Sequence, residues 1–308
     1  MQIKDEPTLG VMAVVAASFL WGTTGTAASF TLDVSPLATG AFAMGVAGIL
    51  LVLRSFRTLR EDLPRLRDNL PLLCVGGLSV AAYPLAFYSS MRLSGVAIGT
   101  VISIASAPLF TVLLEKIINR KPIASKWVWS FCIGSLGVIL LSVGKQSGSI
   151  QYSDSPYQLY GILLGILAAL SYAVYSWSAR ELIVKGVGSS SAVSAQFGIA
   201  AFILLPSLYL TGENLFAGVQ NTVVAIYMAT VPMFLGYLAF GYALKKIEAS
   251  MVTLITLLEP AVAVVFAVLI VGERFNLLAL IGILLISVAL LIQIIKPNLV
   301  FGVLNSRG

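Results

Sequence analysis

Residues Ala249–Val271 read ASMVTLITLLEPAVAVVFAVLIV, an apolar stretch long enough to cross a bilayer as helix, with Glu259-Pro260 at its middle. A carboxyl held at that depth costs roughly 2.5–3.5 kcal/mol on insertion scales, so such groups face a bundle interior or an aqueous path. Glu259 is the one ionisable residue that the sequence places deep inside an apolar segment. Pro260 has no N–H, which predicts a freed Thr256 carbonyl that a hydroxyl, a water or a ligand must satisfy. Pro108 stands eleven residues into the segment 97–118, just as Pro260 stands eleven residues into this one. The chain makes the same break twice.

Across all 308 residues, 58% are hydrophobic, 10% are charged and none is histidine. Soluble domains carry about 25% charged residues, so most of this surface does not face water. Apolar runs of bilayer-crossing length alternate with short polar links from end to end, which makes the chain an all-α, polytopic membrane protein. The net charge of +6 does not imply nucleic-acid binding, because the basic residues sit in links and form no patch on a globular unit. Cys74 and Cys132 both lie in apolar runs and read as small buried hydrophobes. The first run begins near Thr8 and lacks a small-residue cleavage site behind a basic head, so it reads as a first span and not a signal peptide.

Ten transmembrane helices are expected, near residues 8–31, 35–56, 69–91, 95–118, 126–144, 157–184, 189–210, 220–242, 249–271 and 276–295. With both termini cytoplasmic, sixteen basic residues face the cytoplasm: Lys4, Arg54, Arg57, Arg60, Arg65, Arg67, Lys116, Arg120, Lys121, Lys126, Arg180, Lys185, Lys245, Lys246, Lys296 and Arg307. Only Arg92, Lys145 and Arg274 fall on the other side, a decisive positive-inside bias. Trp127 and Trp129 at one face, with Tyr152, Tyr157 and Tyr160 at the other, suit interfacial aromatic belts.

The spans divide into two units. Leu85-Ala86-Phe87 leads through a basic turn to Pro108, and Leu238-Ala239-Phe240 leads through Lys245-Lys246 to Pro260. An offset near 151 sets Trp21 against Tyr172 and Thr24 against Tyr175. Two five-helix repeats result, over 1–150 and 151–308, and an odd span count inverts the second relative to the first. Inverted repeats with interrupted helices at matching positions point to a carrier whose substrate site lies at the midplane between the halves.

No catalytic constellation, metal-ligand set or phosphate loop is present, so neither an enzyme nor a cofactor is expected. Small residues at four-residue spacing, as at Gly95 and Gly99 and at Gly161 and Gly165, read as close helix packing. The polar and aromatic residues near mid-span carry more. Trp21, Thr24, Tyr83, Ser103, Ser106, Tyr172, Tyr175, Tyr237, Thr253, Thr256 and Glu259 all lie away from the interfaces that such groups prefer. An internal cavity is their common home, although each hydroxyl could instead bond back to its own helix. Aromatic walls with a few hydroxyls suit a small molecule with a flat or apolar body and a polar handle. No lysine or arginine sits mid-span, which argues against phosphates and nucleotide-sugars. Two readings stand for Glu259: exchange of a proton or cation against substrate, or a protonated bond to a partner helix where Pro260 breaks the ladder.

Phe19-Leu20-Trp21-Gly22 in the first span, Ser35-Pro36-Leu37 opening the second, Leu258-Glu259-Pro260 in the ninth and Gly272-Glu273 closing it resemble the ten-helix EamA-type exporters of the drug/metabolite transporter superfamily. The resemblance covers essentially the whole chain. It implies a basket in which spans 1–4 and 6–9 line a central cavity, spans 5 and 10 pack outside, and the span 3–4 and 8–9 units gate alternating access. The chain departs from that pattern in two places. An arginine common early in span 2 is absent, with Ala43 and Met44 in its neighbourhood, and the acidic residue common after span 4 gives way to Arg120-Lys121, which puts a charge-paired gate there in doubt. Within the family the aromatic cavity looks most like YddG-type exporters of aromatic amino acids.

The expected protein is therefore a bacterial inner-membrane exporter of small metabolites, amino acids with aromatic or apolar side chains. Its substrate site comprises Trp21, Thr24, Tyr83, Ser103, Tyr172, Tyr175, Tyr237 and Thr256, with Glu259 as a coupling or structural carboxyl and Pro108 and Pro260 as hinges. Its partners are a small-molecule substrate and membrane lipid, with no nucleic acid, and it works as a monomer or homodimer. Two alternatives stay open: an exporter of lipophilic cations with Glu259 as counter-charge, and a receptor or scaffold, which would usually carry a soluble domain that this sequence lacks.

Overall fold

A computed structural model describes residues 6–145, 157–272 and 276–294. All regular structure among them is helical: α1 (Glu6–Ala28), α2 (Pro36–Arg54), α3 (Phe56–Asp68), α4 (Leu70–Ser94), α5 (96–117), α6 (Ser125–Lys145), α7 (Gln158–Val184), α8 (Ser189–Thr211), α9 (Val219–Lys246), α10 (Ala249–Val271) and α11 (Leu277–Ile294). Nine of these are long and apolar enough to cross a membrane; the apolar stretch of α11, Leu277–Gln293, is shorter. Their edges fall close to the expected spans. Lys4, Tyr152, Glu273, Arg274, Lys296 and Arg307 lie outside the described residues, as does the side chain of Lys145.

The link after α2 is the first correction. The sequence reading gave it only as a basic link, and it is the helix α3. Leu59 and Leu66 pack with Leu73, Leu182, Val187 and Ala192, and this burial outweighs the cost of Pro64 inside the helix, four residues before its end.

α4 and α7 run antiparallel and close. A Cβ on Gly161 of α7 would sit 2.6 Å from the Ser94 amide of α4, and one on Gly165 would sit 2.9 Å from Ser90 Oγ. Backbones so close permit continuous van der Waals contact where lipid gives no hydrophobic drive to associate. Gly95 does something else: its φ of 88° ends α4 in a conformation that disfavours a side chain. In the same way α2 packs along α8, where Ser194 Oγ donates to the Leu51 carbonyl at 3.0 Å and to Ser55. Outward faces remain apolar, with Phe202, Leu269 and Leu284 well exposed, as lipid-facing residues should be.

Both proline breaks exist, with a revised detail. In α5 a π-helical segment, Val101–Ala105, gives way at Ser106 to Ala107–Ile117, with Pro108 in the first turn. In α10 a turn at Thr256 and Leu257 separates Ala249–Ile255 from Leu258–Phe266, whose third residue is Pro260. A proline in a first turn removes an N–H that has no intrahelical acceptor anyway. The Thr256 carbonyl is not free, because it accepts the Glu259 amide at 3.0 Å; the tighter turn satisfies it locally. A third irregular stretch, Ala229–Leu235, surrounds Pro232 in α9.

Three more expectations change. Trp127 is buried and its Nε1 donates to the Ser250 carbonyl at 3.1 Å, while Trp129 is exposed as an interfacial residue would be. Cys132 is exposed and Cys74 half-buried, so neither is a core residue. Glu259 is not alone among acids within apolar helices: Glu115 in α5 is buried and accepts the Ser250 amide at 3.2 Å.

Candidate functional site

The breaks and close contacts enclose a cavity in the middle of the bundle. Its walls are Trp21 and Thr24 from α1, Gly40, Ala43 and Met44 from α2, Tyr83, Pro84, Phe87 and Tyr88 from α4, Tyr172 and Tyr175 from α7, Met228, Met233 and Tyr237 from α9, and Glu259 from α10. The rings form one network. Trp21 lies 4.9 Å from Tyr237, Tyr83 lies 5.5 Å from Tyr172, and Tyr172 lies 5.1 Å from Tyr175, measured between centroids. Such offset and tilted pairs place ring faces and edges in favourable contact. Phe197, 4.2 Å from Tyr237, and Phe240, 5.6 Å from Trp21, back the wall.

The polar atoms of the wall fall into two classes. Tyr172 OH donates to Thr256 Oγ1 at 2.9 Å, Thr256 Oγ1 donates to the Thr253 carbonyl at 2.8 Å, and the hydroxyls of Tyr175 and Tyr237 lie 3.1 Å apart. Thr24 Oγ1 bonds back to the Trp21 carbonyl at 2.7 Å. These bonds fix the side chains in place. Trp21 Nε1 is different: it is buried against Gly236, where any side chain would collide with it, and it has no hydrogen-bond partner. A buried donor without an acceptor is costly, and no described residue supplies an acceptor here. Glu259 forms no ion pair among the described residues, and no lysine or arginine lines the cavity.

Seven of the expected residues therefore meet on one surface: Trp21, Thr24, Tyr83, Tyr172, Tyr175, Tyr237 and Glu259. Thr256 does not line it and stands behind Tyr172. Ser103 does not line it either; it is fully buried in the π-helical segment of α5, its hydroxyl unpartnered. The implied role of the fourth and seventh spans as walls is not seen, since α5 and α8 contribute no lining residue. Sequence reading missed Phe87, Tyr88, Met228 and Met233. Tyr88 was within reach, because positions 83, 84, 87 and 88 share one helical face; the methionines carry no such signal.

As found, the cavity holds ≈ 70 Å³ of free space, less than the cavity of about 150 Å³ that accepts a benzene ring. A substrate of that size enters only when helices move. Along α1 and α9 a second pocket adjoins it, apolar and ≈ 360 Å³, lined by Thr23, Thr26, Ala27, Phe30, Val223, Val224, Tyr227, Phe266 and Ile270. Tyr227 OH donates to Thr23 Oγ1 at 2.9 Å beside the boundary.

At the basic end, charges pair between helices. Glu248, in the turn between α9 and α10, pairs with Lys121 at 2.5 Å and with Arg180 of α7 at 3.5 Å. Arg180 also donates to the Leu244 carbonyl at 2.7 Å, and Trp177 Nε1 donates to Asn119 at 2.8 Å. Lys121, half of the basic pair that replaces an acid, thus has an acidic partner at this end. Partial burial pushes the Glu248 carboxyl up, but Lys121 and Arg180 outweigh it and hold the group below the usual carboxylate range.

The sequence pattern of the EamA-like transporter family matches residues 8–143 and again residues 159–295. The uncharacterized transporter YwfM of Bacillus subtilis is 26% identical, covering 92% of this chain and 93% of its own. A probable terminal-alkyne amino-acid exporter of Streptantibioticus cattleyicolor is also 26% identical, covering 82% and 79%. The uncharacterized inner membrane transporter YedA of Escherichia coli K12 is 25% identical, covering 86% and 83%. One solved crystal structure superposes with a TM-score of 0.78 at 17% identity, over 92% of this chain and 96% of the other, a likeness of fold.

Proposed function

The chain belongs to the EamA-like transporter family, and on that premise we propose that it is a multi-pass exporter of the bacterial inner membrane that moves amino acids with aromatic or apolar side chains. Ten crossings in two inverted five-helix repeats, over 1–150 and 151–308 with cytoplasmic termini, form the framework of this reading. The two family matches support the repeat. Inversion is supported by contacts at the helix ends: Glu6 at the start of α1 pairs with Lys246 at the end of α9, and Thr23 near the end of α1 meets Tyr227 near the start of α9. The described basic residues gather at the end holding α3 and the α9–α10 turn, which supports a cytoplasmic placement for that end.

The observation that carries the substrate reading is the cavity. Its aromatic walls suit a flat apolar body, the Glu259 carboxylate suits an ammonium, and the free Trp21 N–H suits a carboxylate. Relatedness to an amino-acid exporter agrees with this assignment. Transport proceeds by alternating access, with the charge cluster around Glu248 closing the basic end and the breaks at Pro108 and Pro260 serving as hinges. Binding tests the reading: phenylalanine added to the purified protein quenches tryptophan fluorescence, and the quench disappears in Trp21→Phe. A quench that survives that change places the ligand elsewhere.

A lone carboxylate in an aromatic cavity without a basic residue also favours a second reading, export of lipophilic cations with Glu259 as counter-charge. Tetraphenylphosphonium that competes fully with phenylalanine, and loses its binding in Glu259→Gln while phenylalanine keeps it, would select the cation reading.

A further inference from the structure

The four arginines of α3, Arg57, Arg60, Arg65 and Arg67, do more than orient the chain. Both flanking helices are membrane-crossing in length and composition, so α3, thirteen residues long, lies along the membrane surface at the basic end. One side of it is fixed to the protein. Asp62 is buried and accepts the Gly188 amide at 2.9 Å at the start of α8, Arg65 donates to Asp62 at 2.9 Å, and Leu59 and Leu66 enter the cluster with Leu182 and Val187.

The side so left free has a regular pattern. Phe56, Arg60, Leu63 and Arg67 follow one another at i, i+4, i+7 and i+11, the spacing of a single helical stripe. All four are exposed, Phe56 and Leu63 at 48% and 43%. Arg57 flanks the stripe and is also exposed, and the Arg60 guanidinium lies 4.5 Å above the Phe56 ring. Surface helices facing water put charge where this one alternates charge with large apolar groups. A helix whose apolar residues dip to the acyl boundary while arginines meet headgroups is the arrangement of an interfacial helix on an anionic leaflet. Guanidinium groups match phosphate geometry in particular.

We propose that this stripe of α3 is a binding site for anionic phospholipid of the surrounding leaflet, with Arg57, Arg60 and Arg67 holding the headgroup phosphate and Phe56 and Leu63 resting against the acyl chains. The proposal does not depend on which substrate is carried, and its test involves no transport. Native mass spectrometry of the full chain, incubated with phosphatidylglycerol or phosphatidylcholine, is expected to show preferential retention of phosphatidylglycerol. In the combined variant Arg57→Gln, Arg60→Gln, Arg67→Gln that preference should fall about tenfold or more, given three arginines near the surface. If that variant does not fold, Phe56→Trp in the otherwise intact chain, in nanodiscs, should be quenched more by brominated phosphatidylglycerol than by brominated phosphatidylcholine at equal content, over the background of the unsubstituted chain. Equal retention of the two lipids by the unsubstituted protein, unchanged retention in the glutamine variant, or equal quenching by the two brominated lipids would overturn it.

Discussion

The two ends of the bundle are closed by different chemistry. At the basic end, ions join the two halves of the chain, Lys121 to Glu248 and Lys246 to Glu6; Arg180 also pairs with Glu248, and Arg65 pairs within α3 with Asp62, which caps α8. At the opposite end no ion pair occurs among the described residues. There, amides close the gap between the link 29–35 and the link 212–218 with the start of α9. Asn221 accepts the Leu32 amide and donates to the carbonyls of Leu32 and Asn214, each at 2.8–3.0 Å, while Asn214 donates to the Asp33 carbonyl at 3.1 Å and Gln220 to that of Phe30 at 2.6 Å. The cavity sits between an end held by ion pairs and an end held by neutral hydrogen bonds. In the proposed alternating-access cycle each closure breaks in turn, so the two can be tested apart.

The largest effect is expected at the neutral end. Asn221 is buried, and Asn221→Ala removes three hydrogen bonds at once, for a loss of about 2–3 kcal/mol in thermal unfolding that salt leaves unchanged. Next comes Glu248→Gln, which takes the carboxylate from the partly buried Arg180 while Lys121 regains solvent; because Glu248 is itself 44% exposed, the loss is about 1–2 kcal/mol and shrinks in high salt. An equal salt response for the two variants would erase the distinction between the ends.

Lower pH gives a finer test. Burial raises the Asp62 carboxyl, but the Ser191 hydroxyl, the Gly188 amide and Arg65 together hold it below its ordinary range, as Lys121 and Arg180 do for Glu248. For a group whose folded value is depressed, the stabilisation is complete above the unfolded value and is lost as pH falls through the folded one. Hydrogen exchange should therefore accelerate at residues 180–190 and 244–250 below about pH 4, with residues 214–222 little changed. Faster exchange at the neutral end first would contradict the assignment. The smallest effect is Glu6→Gln: Glu6 is itself well exposed at the start of α1, and no change in melting temperature is expected.

Much of this was legible in the sequence, and the failures have a common cause. Apolar run length located the crossing helices, and the prolines at 108 and 260 located the breaks, although Pro84 and Pro206 sit inside continuous helices. Rotation about each helix axis was not legible. In lipid both faces of a helix are apolar, so periodicity gives no inward face. Ser103 and Thr256 were assigned to the cavity because they are polar and near mid-span, yet one sits inside the α5 break and the other behind Tyr172. The aromatic residues fared better, since Trp21, Tyr83, Tyr172, Tyr175 and Tyr237 are too large to be lost between close-packed helices. The helix α3 escaped because its arginines masked a pattern of leucines that only the neighbouring α7 and α8 make into a core.

Transport of labelled phenylalanine into liposomes carrying the purified protein, with and without a pH gradient, tests the central claim most directly. The account predicts protein-dependent uptake that falls at least about tenfold when Trp21→Ala and Tyr172→Ala are combined in a protein that still folds, as expected when a site loses its aromatic anchors. Uptake unchanged by those substitutions would show that the aromatic cavity is not the path of the substrate.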